Sequence, residues 1–214
     1  MRDVITLDGP AASGKSSVAR RVADRIGVPF VSSGLLYRLA TWLAVRAGVQ
    51  PLEEARTLAL LAGHEVRLEP HLSGNRVFVD ERDATVALHT DAIDDAVSNV
   101  AALSGVRAWV NARLREIDGP FVIDGRDMGK EVFPDAVLKV FLTAEPEVRA
   151  ARRVGERDAD LGVVADAIRR RDERDARQTV PADDAVRIDT SELDLDAVVD
   201  RVLDLVAARR ADKR

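Results

Sequence analysis

The stretch Gly9-Pro-Ala-Ala-Ser-Gly-Lys-Ser-Ser17, GPAASGKSS, decides the reading of this chain. Its two glycines frame four residues, and Lys15 and Ser16 follow the second. Before it, residues 3–7 (Asp-Val-Ile-Thr-Leu) form a short apolar run that stops at Asp8-Gly9-Pro10, the pattern of a buried strand. After it, Val18, Val22 and Ile26 recur four apart and Gly27 supplies a stop, which predicts a helix over Ser16–Ile26. A strand, a Gly-x4-Gly-Lys-Ser loop and a helix in that order read as a phosphate loop. Glycines let the backbone curl until several N–H groups face one anion. The helix start adds free amides and the positive end of its dipole. Lys15 supplies a mobile charge for the outer phosphates, and the Ser16 hydroxyl can ligate Mg²⁺. Gly9, Ala11, Ala12, Ser13, Gly14, Lys15, Ser16 and Ser17 are thus the candidate cradle for ATP. The competing reading is an ordinary turn with a solvated lysine. Lysine occurs only at 15, 130, 139 and 213 among 32 basic residues, which makes a chance lysine here less expected.

The whole chain bounds what such a loop can serve. Its 214 residues suit one compact domain with a small insert. A hydrophobic content of 46% with 32% charged residues is an ordinary globular composition. The net charge of -5 argues against nucleic acid as the main partner, so phosphate binding must rest on locally placed cations. The absence of cysteine excludes disulfides, thiolate zinc sites and thiol catalysis. His64, His71 and His89 lack metal-ligand spacing, so no structural zinc is expected. No apolar run is long enough for a membrane span, and the N-terminus does not read as a signal peptide. A cytoplasmic protein is expected, and a monomer, because no long apolar helix face is left over.

Beyond the loop, Val28–Val31 reads as a second strand, Leu35–Ala47 as a helix ending at Gly48, and Pro51–Leu61 as another helix. Between 64 and 90 the texture changes. Two alternating runs, His64–Leu68 and Arg76–Asp80, flank a turn at Ser73-Gly74-Asn75, which predicts a β-hairpin with a possible third strand near 85–88. This segment interrupts the helix–strand alternation and is the candidate insert. Helices return over 91–117. Strands are expected at 121–123, 136–142 and 185–188, an arginine-rich helical run over 146–178, and a last helix from Asp194 carrying Leu195, Val198, Val199, Val202, Leu203 and Val206. Strands alternating with helices imply an α/β fold with a parallel sheet.

Three further stretches could hold an acceptor. In Ser32-Ser-Gly-Leu-Leu-Tyr-Arg38, a helix start offers amides, with Tyr37 and Arg38 one turn in; the same residues also read as a capped core helix. Asp124-Gly-Arg-Asp-Met-Gly129 follows a buried strand, and ligands of open α/β sheets bind at strand carboxyl ends. Two acids and a base there are costly without a role. The arginine-rich run, Arg149–Arg153 and Arg169–Arg177, suits a closing lid that neutralises a migrating phosphoryl group. Most of its arginines also suit a solvated helix laced with i, i+4 pairs.

Taken together, ITLDGPAASGKSS, SSGLLYR, VSNVAALSGVR, IDGRDMGKEVFPDA, FLTAEPEVRAARR, RDERDAR and VRIDTSEL resemble the bacterial cytidylate kinases of the nucleoside monophosphate kinase superfamily, in family order over nearly the whole chain. The GRDMG-x-x-VFPDA block is the most specific part. The resemblance implies a P-loop three-layer fold, with a core of 1–63 and 91–214, a lid at about 154–178 and a nucleoside-monophosphate-binding insert at 64–90. It implies transfer of the ATP γ-phosphoryl group to CMP or dCMP, with Mg²⁺. Ser33, Tyr37 and Arg38 would hold the acceptor, Arg38 on its phosphate. Ser98 and Arg107 would read cytosine with Asp127, which can accept from the exocyclic amine. Asp124 and Gly125 would line the acceptor site, Arg126 would clamp the phosphate, and Arg171 and Asp175 would reach sugar and phosphate from the lid. Arg149 and Arg153 would lie on the ATP side. Lys15, Arg126, Arg153 and Arg171 would carry the transition-state charge. Mobile parts are expected at the insert and the lid. Ser32 stands where the family often has Asp, and His89 where it has an arginine. Arg177 is followed by a shortened segment, which leaves the last lid arginine open. Another small-molecule kinase, or a nucleotide-dependent switch without turnover, are the rival readings.

Overall fold

The computed structural model describes residues 3–155, 161–176 and 178–211. Contacts divide the chain into two compact units, Met1–Phe30 with Gly119–Arg214, and Val31–Asp118.

The first unit is organised by β1 (Val4–Asp8), whose five residues are all buried. A strand without polar alternation must be covered on both faces, which is the condition of a central parallel strand. β1 pairs in parallel with β6 (Phe121–Gly125) and β7 (Leu138–Thr143), and β7 pairs with β8 (Val186–Asp189). With β2 (Phe30–Ser32) the sheet order is β2-β6-β1-β7-β8. The register sets Asp8 opposite Gly125 and Phe141, so the carboxyl ends of the three central strands lie together. Helix α1 (Lys15–Ile26) buries Val18, Ala19, Val22 and Ala23 and closes on Gly27, at a left-handed φ of 71°. Helix α8 (Leu195–Ala211) adds Val198, Val199, Val202 and Val206 to the same core as Leu7, Val140 and Leu142. Each such side chain contributes about 1.5–3 kcal/mol when fully buried. The 146–178 run is two helices, α6 (Pro146–Gly155) and α7 (Leu161–Asp175). Residues 156–160 and 177 of the expected lid lie outside the described residues.

The second unit centres on α2 (Gly34–Arg46), which buries eight of its thirteen residues. Around it lie α3 (Glu54–Ala62), α4 (Asp91–Ala101) and α5 (Ser104–Arg115), with a three-stranded antiparallel sheet of β3 (Val66–His71), β4 (Gly74–Val79) and β5 (Arg82–Asp83). The 64–90 segment belongs to this unit.

Several boundaries differ from the sequence reading. The helix expected from Pro51 starts at Glu54, after a turn at Pro51-Leu52. The third strand is only Arg82–Asp83, and Thr85–Leu88 is a 3-10 turn. That strand forms because Asp80 and Glu81 both take left-handed φ, 47° and 66°, the geometry of a tight two-residue hairpin turn. Asp80 accepts hydrogen bonds from the His64 ring and from the Glu65 N–H, which hold its carboxyl below the usual range. The first hairpin turns at Leu72-Ser73, since His71 pairs with Gly74. Among the described residues no helix is long and apolar enough to cross a membrane.

Candidate active site

The loop between β1 and α1 is shaped by close approach. A Cβ on Gly9 would stand 2.3 Å from the Leu142 carbonyl oxygen, so this end of β7 admits only glycine. Gly14 starts α1 at a left-handed φ of 84°, and no side chain caps the helix amides that follow. Ala12 also takes a left-handed φ, 57°, without being glycine. Ser13 is buried, and its Oγ finds no hydrogen-bond partner among the described residues. A buried hydroxyl without a partner inside a loop of helix-start amides fits an anion as its missing partner. Lys15 Nζ donates to the Pro10 carbonyl at 3.0 Å, so its charge lies over the loop. Ser17 is exposed at the helix start, and Ala11 is a buried residue of the loop.

The end of β6 meets this loop. Ser16 Oγ donates to the buried Asp124 carboxylate. Hydroxyl and carboxylate oxygens are the donors a hard divalent cation takes. Arg126 donates to the Gly9 carbonyl at 3.0 Å and pairs with Asp175 of α7 at 2.8 Å. Asp127 is buried and begins a π-helical turn, Met128–Val132, that the sequence reading did not resolve. A Cβ on Gly125 would stand 2.4 Å from Met128 Cγ, so a larger residue there would displace the Met128 side chain. Beside Asp127 lies Asp8, which accepts the Met128 and Gly129 N–H groups at 2.9 and 2.8 Å. Burial raises the Asp8 pKa to about 6, the Asp127 charge adds to the rise, and the two amides and Lys15 oppose it.

Arg149 is nearly inaccessible, at 4% exposure. It donates to the carbonyls of Ala144 (3.0 Å) and Ala11 (3.2 Å) and pairs with Asp172 of α7 at 2.6 Å. Two arginines thus tie loop carbonyls to the acidic face of α7. Arg153 is half-buried on α6. The side chain of Arg171 and the whole of Arg177 lie outside the described residues.

Within the second unit, Ser33 and Tyr37 are buried at the start of α2, and Arg38 is half-buried. Arg38 donates to the Leu88 carbonyl at 3.0 Å and to Asp94 of α4. Ser98 follows Asp94 by one helical turn, and Arg107 of α5 lies over the Tyr37 ring at 5.9 Å. Of the residues singled out in the sequence, Ser33, Tyr37, Arg38, Ser98 and Arg107 are all carried by this unit, and the glycine loop, the Asp124–Asp127 run, Arg149, Arg153 and Asp175 by the other. Asp8, Asp94 and Asp172 were missed. Asp8 had a signal in its place at a buried strand's end, but Asp94 and Asp172 sit among many helix-surface acids.

A parallel sheet whose central strand feeds a Gly-x4-Gly-Lys-Ser loop, with arginines gathered on that loop, defines a phosphotransferase of the P-loop kinase class. A gluconokinase from Sinorhizobium meliloti 1021 shares the fold (TM-score 0.53, 17% identity, 97% of this chain and 94% of that one). A shikimate kinase from Bacteroides thetaiotaomicron does so too (TM-score 0.50, 14% identity, 95% and 98%). Within that class the chain belongs to the cytidylate kinase family, whose sequence profile, "Cytidylate kinase", matches residues 5–208. It is 57% identical over 203 residues to the cytidylate kinase of Thermus thermophilus, covering 95% of this chain and 98% of that protein. Against the cytidylate kinase of Deinococcus radiodurans the identity is 50% over 200 residues, covering 94% and 97%.

Proposed function

We propose that this chain transfers the γ-phosphoryl group of ATP to CMP or dCMP, giving ADP and CDP or dCDP. The observation that carries the reading is the meeting of the Gly9–Ser17 loop with the Asp124–Asp127 run at the carboxyl ends of two adjacent parallel strands, tied through Ser16–Asp124 and Arg126–Gly9. Family membership supports the same substrates.

In this reading the loop amides, Ser13 and Lys15 bind the ATP phosphates. Ser16, with the Asp124 carboxylate bonded to it, offers oxygen donors for Mg²⁺, which when bound offsets phosphate charge. Arg38 takes the acceptor phosphate, with Ser33 and Tyr37 beside it. Asp127, Ser98 and Arg107 read the base. A carboxylate suits the exocyclic amine of cytosine and opposes the carbonyl that uracil carries there. Arg126 turns from Asp175 to phosphate oxygens as the substrates arrive, Arg153 of α6 adds charge from the ATP side, and Arg171 adds it from the lid at about 154–178. Asp175 reaches the sugar. The acceptor oxygen is already ionised near neutral pH, so positioning and charge stabilisation carry the reaction and no general base is needed. The 64–90 segment is the monophosphate-binding insert, within the unit that also carries Ser33, Tyr37, Arg38, Ser98 and Arg107. The enzyme works as a monomer in the cytoplasm, on small-molecule nucleotides.

The test is ADP formation from ATP and Mg²⁺ with CMP, dCMP, UMP, AMP and GMP in parallel. Fast turnover of CMP and dCMP with slower UMP is the expected result. No turnover with any pyrimidine monophosphate would overturn the assignment.

A further inference from the structure

Asp127 occupies the position from which an aspartate ordinarily folds its carboxylate back onto the amides of the turn it starts. Here it does not. Its carbonyl accepts the Lys130 and Glu131 N–H groups (3.2 and 2.8 Å), but its side chain makes no capping bond to the π-turn. The two leading amides of that turn go to another carboxylate, Asp8, the last residue of β1, one amide to each oxygen. The turn packs closely against β1 and β7. A Cβ on Gly129 would stand 2.7 Å from Thr6 Oγ1 and 3.1 Å from Lys139 Cγ. Asp8 and Asp127 are each 5% exposed. Two buried carboxylates side by side are expensive, and an apolar residue would end a buried strand at lower cost. The arrangement calls for a role.

We propose that Asp8 is a positioning residue for base selection: by taking the two leading amides of the π-turn it keeps the Asp127 carboxylate from folding onto them and presents it to the incoming base. The inference rests on the assignment of cytosine recognition to Asp127. Asparagine at position 8 offers one acceptor oxygen and turns an NH₂ group against the second amide. Asp127 then caps the vacated amide and is withdrawn from the base.

The experiment compares kcat/KM for CMP and UMP in the wild type, Asp8→Asn, Asp127→Ala and the double variant, with each variant's folding checked by its melting curve. Asp8→Asn should lower the CMP:UMP ratio about tenfold, through KM for CMP, and leave KM for ATP within about twofold. In the Asp127→Ala background it should change the ratio no further. A wild-type ratio retained in Asp8→Asn, or the same loss in the Asp127→Ala background, overturns the Asp8 step alone. A wild type without preference, or an Asp127→Ala enzyme that keeps it, overturns the Asp127 assignment and this inference with it.

Should Asp8→Asn not fold, the wild type decides. Asp127 and Lys15 are the charged groups acting on Asp8. The Met128 and Gly129 amide resonances should titrate together with a midpoint near 6. The ratio of Kd values for CMP and UMP should move with the same midpoint. Both ligands carry the same phosphate, whose own ionisation cancels in the ratio. A Kd ratio constant through the amide midpoint overturns the proposal.

Discussion

Arg149→Met tests how this fold ties its phosphate loop to α7. The substitution keeps an unbranched side chain of similar length and removes every donor. Arg149 is 4% exposed and serves the Ala144 carbonyl, the Ala11 carbonyl and the Asp172 carboxylate at once. Hydrogen bonds from a charged group are worth about 1.5–3 kcal/mol each, but burying the guanidinium costs several kcal/mol in return. Removing one partner of a buried pair costs about 3–5 kcal/mol net. The Asp172 side chain is 29% exposed, so water can take over part of its charge, which puts this case near the lower end. About 3 kcal/mol in a domain of this size lowers Tm by about 6–12 °C. Circular dichroism melts at fixed pH and salt measure it. Arg149→Lys restores the charge but not the planar fork, and should recover only a minor part. A Tm within about 2 °C of wild type for Arg149→Met would refute the reasoning, because the three contacts would then add nothing beyond the cost of burial.

Two further outcomes follow from the strand ends. The Asp8 pKa is raised from 3.8 to about 6, so the folded protein holds a proton that the unfolded chain releases between those values. The stability this group contributes is full below about pH 4 and is lost as pH rises through about 6. At about 1.4 kcal/mol per pKa unit this amounts to about 3 kcal/mol. The urea-derived stability of wild type minus that of Asp8→Asn should therefore fall by about 3 kcal/mol from about pH 4 to 7.5; a difference that does not vary with pH contradicts the burial account. Gly9→Ala places a methyl group 2.3 Å from the Leu142 carbonyl oxygen, a backbone atom that cannot swing aside. It should cost about 1–3 kcal/mol and reduce phosphoryl transfer, and an unchanged urea midpoint with full activity would show that the loop does not pack there.

The phosphate loop was legible in the sequence because its physics is local. A buried run, a glycine loop and a helical repeat follow one another within 26 residues, and their meaning does not depend on the rest of the chain. The parallel sheet and the last helix were legible for the same reason, since hydrophobic period reports burial directly. The short elements were not. Arg82–Asp83 is a strand because Asp80 and Glu81 both accept left-handed φ; aspartate tolerates that region, but glutamate is not a residue that turn propensity puts there. The π-turn after Asp127 exists because a carboxylate from β1, remote in sequence, holds its first two amides. Arg149 could be marked as a cation near phosphate, but its role as a tie appears only when Ala11, Ala144 and Asp172 are brought around it. Local pattern was enough to mark the glycine loop as a candidate phosphate cradle and to pick out the buried segments, because neither depends on distant partners. Tertiary structure alone decided which carboxylate holds which amide and which arginine is engaged by which acid, because those partnerships depend on packing between segments far apart in the chain.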